Sequence, residues 1–244
     1  MQHIGDEFHN TLKEPAQVRA LFEKMARKYD FANHLLSMGL DFTWRIRASK
    51  YLAPDVDGPI FDGATGTGDL AIEHARRYPD REIVGIDFTP GMIEIAKKKI
   101  RDLALHSRVR MEVGDLTSLS GFDAETFAAA SISFGIRNVE NRRAALSELR
   151  RILRPGGRLM IVEFSMPTVP IFAPVYRFYF RNIMPLVSIA LGLGDTYGYL
   201  YRSVTQFPPR DRFCSMLGEA GFVDVRTKSM SLGTVTVYLS RKPV

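Results

Sequence analysis

The chain has a single cysteine, Cys214, so no internal disulfide can form, which suits a reducing cytoplasm. Histidine is scarce as well: His3, His9, His34, His74 and His106 show no ligand spacing, and no metal site is expected. The opening stretch Met1-Gln2-His3-Ile4-Gly5-Asp6-Glu7 has no apolar core, so no signal peptide is expected. No uninterrupted apolar run approaches ~18 residues, so no membrane-spanning helix is expected either. Internal repeats and low-complexity tracts are missing. Neither sign of charge dominates: 33 Lys and Arg against 27 Asp and Glu leave +6 over 244 residues. That balance suits an anionic partner or membrane surface, and equally plain solvated charge. The length fits one domain with room for an insertion.

What is present is a strand–helix alternation organised around Phe61-Asp62-Gly63-Ala64-Thr65-Gly66-Thr67-Gly68-Asp69. An apolar run leads into this stretch and a helical pattern leads out, the form of a nucleotide-cofactor loop. The spacing alone also satisfies a dinucleotide fingerprint, with Asp87 placed to hold a ribose. Upstream, residues 16–29 predict an amphipathic helix with Val18, Leu21, Phe22, Met25 and Tyr29 on one face. Gly39 ends a short helix, and Asp41 or Thr43 caps the next, up to about Leu52. From residue 59 strands and helices alternate, with Thr89 capping and Pro90 opening the second helix, and Pro155-Gly156-Gly157 stopping the helix before strand five. Such alternation implies a parallel sheet with ligands at the carboxyl ends of the strands. Residues 165–206 break the rhythm with prolines, aromatics and aliphatics. They predict either a helical excursion packed on the sheet or an apolar lid facing substrate or lipid, with Arg177, Arg181 and Arg202 toward headgroups. The last two strands, about 221–226 and 234–239, are joined by a link too short for a parallel crossover. A parallel sheet that ends in an antiparallel hairpin points to S-adenosyl-L-methionine as cofactor rather than a dinucleotide.

For that cofactor, Asp62 and the turn from Gly63 to Gly68 suit the amino-acid end. Asp87, with Phe88 beside it, suits the ribose. Asp115 and the Leu116 N–H suit the adenine edge, and Ser133 at the end of strand four lies nearest the transferable methyl. Other chemistries lack their residues. The run Ser133-Phe134-Gly135-Ile136 is not the Asn/Asp-Pro-Pro-aromatic run of amino-methylating nucleic-acid enzymes, and no nucleic-acid partner is expected. Cys214 follows Phe213, not a proline. No carboxylate cluster for a catechol-type metal site is present. The Tyr238 to Lys242 pair ends a strand, where four residues span ~13 Å, too far to share a proton.

The chain resembles the menaquinone/ubiquinone biosynthesis C-methyltransferase family. The resemblance is carried by Tyr29-Asp30 with Asn33 and the Ser37–Trp44 segment, by Asp62–Asp69, by Ser133-Phe134-Gly135-Ile136-Arg137-Asn138-Val139, and by Leu153–Arg158 running to Glu163-Phe164-Ser165. It implies a Rossmann-like class I methyltransferase of the α/β class. The expected sheet is seven-stranded and mostly parallel, with one antiparallel C-terminal hairpin strand. An N-terminal helical cap (1–52), a core (53–164 and 207–244) and an acceptor lid (165–206) complete the expected layout. Cofactor contacts are expected at Thr67, Asp87, Asp115, Leu116 and Ser133. The implied acceptor is a prenylated quinol, demethylmenaquinol or its benzoquinol counterpart, met at the inner face of the membrane by a cytoplasmic, peripheral enzyme that can pair as a homodimer. Arg137 is expected to favour the ring phenolate as a fixed cation, with a water held by Arg137, Asn138 and Tyr29 as the proton relay. Asn138 serves instead as a helix cap if the loop is only an anchor. Two departures, Asp41-Phe42 for the family's usual His-Arg and Met166 for its usual Lys, fall on the expected acceptor side. A non-catalytic, cofactor- or lipid-binding relative is the alternative.

Overall fold

The computed structural model describes residues 15–167, 169–186 and 194–244. The side chains of Tyr29 and Arg177 lie outside the described residues. The cap is α1 (Pro15–Leu36) and α2 (Leu40–Leu52). The first half of the core is β1 (Ile60–Gly63), α3 (Asp69–Arg77), β2 (Ile83–Asp87), α4 (Pro90–Asp102) and β3 (Val109–Val113). The second half is β4 (Phe127–Ser133), a 3-10 turn (Ile136–Asn138), α5 (Arg142–Ile152) and β5 (Leu153–Phe164). The segment after β5 carries α6 (Phe172–Phe178), a π-turn (Tyr179–Ile183) and α7 (Gly194–Thr205). The chain closes with α8 (Arg210–Glu219), β6 (Val223–Met230) and β7 (Val235–Arg241).

The seven strands form one sheet in the order β3-β2-β1-β4-β5-β7-β6. All pairs from β3 across to β5 are parallel, and β7 runs antiparallel to both β5 and β6. The order reverses between β1 and β4, the switch point at which such sheets bind ligands. Central strands are buried on both sides, so their residues divide between two cores. Ile60, Ala129, Met160 and Val162 face α2, α3 and α4. Phe61, Ala130 and Ile161 face α5 and α8. Phe180, Met184, Tyr197 and Val204 make a separate small core inside the segment after β5.

Three local readings change. α1 continues to Leu36, because nothing between residues 29 and 36 breaks a helix. The chain turns only where Met38 and Gly39 take φ of 52 and 74 degrees. Asp41 and Thr43 do not cap α2; Gly39 occupies the cap position without a side-chain bond. Pro155-Gly156-Gly157 does not separate helix from strand but lies inside β5 as a bulge, where the β4 register jumps from Phe127–Leu153 to Ala129–Arg158.

A buried polar chain crosses the first core. Ser131 Oγ donates to Asp62 Oδ1 at 2.6 Å and Thr65 Oγ1 donates to Asp62 Oδ2 at 2.6 Å. Ser131 has one proton, so it accepts from His74 Nε2 at 3.0 Å, and His74 Nδ1 then accepts from Ser49 Oγ at 2.9 Å. The imidazole is neutral, its pKa held down at about 3 by burial with Arg77 nearby.

Candidate active site

Two cavities lie at the carboxyl ends of the parallel strands and share the wall residue Phe134. That wall is held under strain: Phe134 has φ of 55 degrees, unusual for a bulky residue. Only glycine fits at 135, where a Cβ would approach the Ala64 Cβ to 2.5 Å.

The first cavity collects the strand ends. Asp87, Phe88, Asp115, Leu116 and Ser133 line it, together with Gly66 of the β1–α3 loop and Val18 and Phe22 of α1. Asp87 is fixed by the main chain: Gly66 N–H donates to Oδ2 at 3.0 Å and Thr89 N–H to Oδ1 at 2.9 Å. Burial raises its carboxyl pKa, and these N–H bonds oppose the rise. An ionised carboxylate has about four acceptor positions, so roughly two on Asp87 stay open for a pair of hydroxyls. Asp115 commits Oδ1 to the N–H and hydroxyl of Thr117, both at 2.8 Å. Phe88, Met92 and Leu116 give the apolar surface that a flat base needs. This donor and acceptor set fits an adenosine-bearing cofactor.

The second cavity, about 540 Å³, lies between α1, α2, the β4–α5 turn and the segment after β5. Its floor is aromatic. Trp44 packs on Phe134 at 5.8 Å and on Phe164 at 6.1 Å, and Phe134 meets Phe164 at 4.5 Å. Arg137 lies over the Phe164 ring at 5.4 Å and is itself buried. Its guanidinium pairs with Glu163 at 3.1 Å and also donates to the Phe134 carbonyl. Asn138 accepts from the Tyr199 hydroxyl at 2.9 Å and faces the first cavity. Tyr176, Tyr179, Phe180 and Met184 form the far wall.

A model of the ubiE/COQ5 methyltransferase family matches residues 10–242. The chain belongs to that family. Among curated relatives, the ubiquinone/menaquinone biosynthesis C-methyltransferase UbiE of Geobacter sp. (strain M21) is 44% identical over 227 residues, covering 93% of this chain and 96% of the relative. The demethylmenaquinone methyltransferase of Clavibacter sepedonicus is 37% identical over 232 residues, covering 95% and 92%. A solved SAM-dependent methyltransferase from Thermotoga maritima superposes with a TM-score of 0.65 at 20% identity over 91% of this chain and 98% of that one, a likeness of fold. The protein is therefore a methyltransferase with S-adenosylmethionine as methyl donor.

Asp62, Gly63, Thr67 and Gly68 do not line the first cavity. Asp62 points into the protein, with both oxygens taken by Thr65 and Ser131. Gly63 is needed for packing, since a Cβ there would meet Leu116 at 2.5 Å. Gly68 caps α3 with φ of 84 degrees, and the Thr67 hydroxyl donates to Asp30 of α1 at 2.6 Å. Arg137 is not a lone cation, because Glu163 balances it. Asn138 does not cap α5; Asn141 does, accepting from Ala144 N at 3.0 Å. Sequence reasoning missed Glu163 as a site residue, though a carboxylate ending the apolar run Met160-Ile161-Val162 signals a buried partner.

Asp87→Ala is expected to weaken binding of S-adenosylhomocysteine by about 1.5–3 kcal/mol, the scale for hydrogen bonds to a charged group. Calorimetry that returns unchanged affinity would remove Asp87 from the grip.

Proposed function

We propose that this methyltransferase alkylates a ring carbon of a prenylated quinol, converting a demethylmenaquinol to the menaquinol or acting on the benzoquinol counterpart. The observation that carries the reading is the Trp44, Phe134 and Phe164 floor, which shares Phe134 with the cofactor cavity. A flat ring on that floor lies beside the strand ends that hold the cofactor.

S-adenosylmethionine, when bound, supplies an electrophilic methyl group. The chain's own residues make the ring a nucleophile and fix its position. A quinol hydroxyl has to lose its proton, and phenols hold theirs to about 10. Arg137 lines the cavity as a fixed cation paired with Glu163, and Arg142, bonded behind it to the Ile136 and Arg137 carbonyls, adds a second positive charge that favours the phenolate. Tyr199 keeps its own proton, since burial pushes its pKa up to about 12. Its hydroxyl therefore stays a donor to Asn138 Oδ1, which leaves the Asn138 amide N–H groups, on the cofactor side, to hold a water through which the ring proton passes to solvent.

The acceptor's tail stays in lipid in this reading. Met38, Val175 and Leu232 line the cavity and are each more than half exposed, as are Ile171, Phe178 and Leu186 on the segment after β5. Arg181 is exposed beside them. No described helix is long and apolar enough to cross a bilayer, so the contact is peripheral. Phe178 and Phe180 divide these roles: Phe178 belongs to the exposed rim, whereas Phe180 stacks on Tyr176 at 5.5 Å inside the wall.

The test is transfer of labelled methyl, under anaerobic reduction, to a demethylnaphthoquinol and to a demethyl-methoxybenzoquinol. Label in the ring of either supports the reading and the ratio names the series; no ring label overturns it. In the same assay Val175→Ser with Phe178→Ser is expected to slow a long-tailed acceptor on vesicles far more than a short-tailed one. Equal losses would remove the lipid contact.

A further inference from the structure

The acceptor cavity has a second polar end that the chemistry above does not use. Asp41, in the first turn of α2, lines the cavity although only 3% exposed. Ser37 Oγ donates to its Oδ1 at 2.8 Å, and Oδ2 receives His34 Nδ1 at 2.8 Å and the guanidinium of Arg45. Three of about four acceptor positions are filled, and the open one is on Oδ1. Arg45 and Ser37, with Asn33, line the same corner.

The corner is negative overall. Arg45 is shared between Asp41 and Asp69, the latter at 3.6 Å. Lys99 Nζ lies 2.7 Å from Asp69 and 2.6 Å from Asp30. Three carboxylates thus meet two cations: Arg45 Nη1 serves Asp41 and Asp69, and Lys99 Nζ serves Asp69, Asp30 and the Thr67 hydroxyl at 3.1 Å. Arg137 lines the same cavity from the β4–α5 turn, paired with Glu163 and backed by the cation of Arg142.

We propose that Asp41 accepts a hydrogen bond from one ring hydroxyl of the acceptor and thereby selects the reduced, hydroxyl-bearing ring over its oxidised, carbonyl-bearing form. The proposal rests on the quinol reading. An ionised carboxylate only accepts, so a ring hydroxyl satisfies it and a ring carbonyl cannot. With the carbonyl form two acceptors face each other in a dry corner, and a buried polar group is left unpaired. A site built to pair with a hydroxyl rejects the analogue that lacks it for this reason. The two ends also assign the two ring oxygens. The hydroxyl at Asp41 keeps its proton beside negative charge, and the oxygen at the Arg137 end is the one that loses it. His34, Ser37 and Arg45 act as positioning residues that fix the carboxylate. The oxidised ring is not a carbon nucleophile, so its exclusion keeps the enzyme from being occupied by a form it cannot methylate. Asp41 is also where the sequence departs from the pattern it resembles, exchanging a side chain able to donate for one that cannot.

The protein carries its own probe, since Trp44 is its single tryptophan and forms the cavity floor. Binding of a water-soluble naphthoquinol, and separately of its naphthoquinone, is titrated anaerobically by Trp44 fluorescence in the full chain. The wild type is expected to bind the quinol at least about tenfold more tightly, and Asp41→Asn to bring the two forms within about twofold. Asp41→Ser, whose hydroxyl both donates and accepts, is expected to narrow the ratio likewise and serves if the asparagine variant does not fold. A wild type without preference, or variants that keep its ratio, overturn the proposal while leaving the quinol reading in place. A wild type in which neither ring changes the Trp44 signal overturns both.

Discussion

Arg137→Met is expected to destabilise the fold by about 3–5 kcal/mol at neutral pH, the usual cost of stranding one partner of a buried ion pair. Glu163 is 1% exposed, so without the guanidinium its charge has no solvent to turn to. It would keep only main-chain donors, Arg137 N–H at 3.2 Å and Phe164 N–H at 3.1 Å. Adding Glu163→Gln should return much of the loss, because no charge remains to be desolvated and the one amide oxygen still accepts from one of those N–H groups, which in the wild type bond different carboxylate oxygens. Urea unfolding of both variants checks this. The activities should not follow the stabilities: the double variant is expected to be folded and to transfer no measurable methyl. An active double variant would show that the ring needs no cation at this end. A double variant as unstable as the single would mean that the side chain of Arg137 supports the fold through packing on Phe164 rather than through charge.

The fold was largely legible because it is written in a repeating pattern. Apolar strands alternate with helices from residue 59, and a short link between the last two strands allows only an antiparallel pair. Strand-end logic also brings Asp87, Asp115, Leu116 and Ser133 to one edge, where they line the first cavity, since every parallel strand delivers its last residues to that edge. Asp62 and Thr67, expected beside them, do not line that cavity. Position along a strand says which edge a residue reaches, but not whether its side chain turns to the cavity or back into the core. Asp62 turns back to Ser131, a residue on another strand. Glu163 was missed for a related reason: its partner is 26 residues away in sequence, across β4 and β5. Phe178 and Phe180 look alike in the sequence, yet their helical angles send one to solvent and the other into the wall.

Asp62 yields the other large effect, and it is one of pH. Burial lifts its carboxyl from 3.8 to about 6, against the opposing hydrogen bonds from Ser131 and Thr65. Between those values the folded protein holds a proton that the unfolded chain has released. Stability therefore falls as pH rises through that window, and the whole penalty is present above about pH 6. The gap corresponds to about 3 kcal/mol. Asp62→Asn cannot ionise, and the Ser131 and Thr65 hydroxyls can rotate to meet its amide. The variant's stability relative to wild type is thus expected to rise by about 3 kcal/mol between pH 4 and pH 7 in paired urea titrations. Taking the difference cancels the other carboxylates, whose titration is common to both proteins. Parallel curves would mean that Asp62 is ionised in the fold down to its ordinary range. The direction of the buried chain is then the reason the charge is kept. With Ser131 donating to Asp62 and His74 donating to Ser131, an anion at the end satisfies every proton in the line. Thr65 is held by that anion, and the next residue, Gly66, donates its N–H to Asp87 at 3.0 Å. The asparagine variant should accordingly be the more stable protein at neutral pH and the weaker binder of S-adenosylhomocysteine.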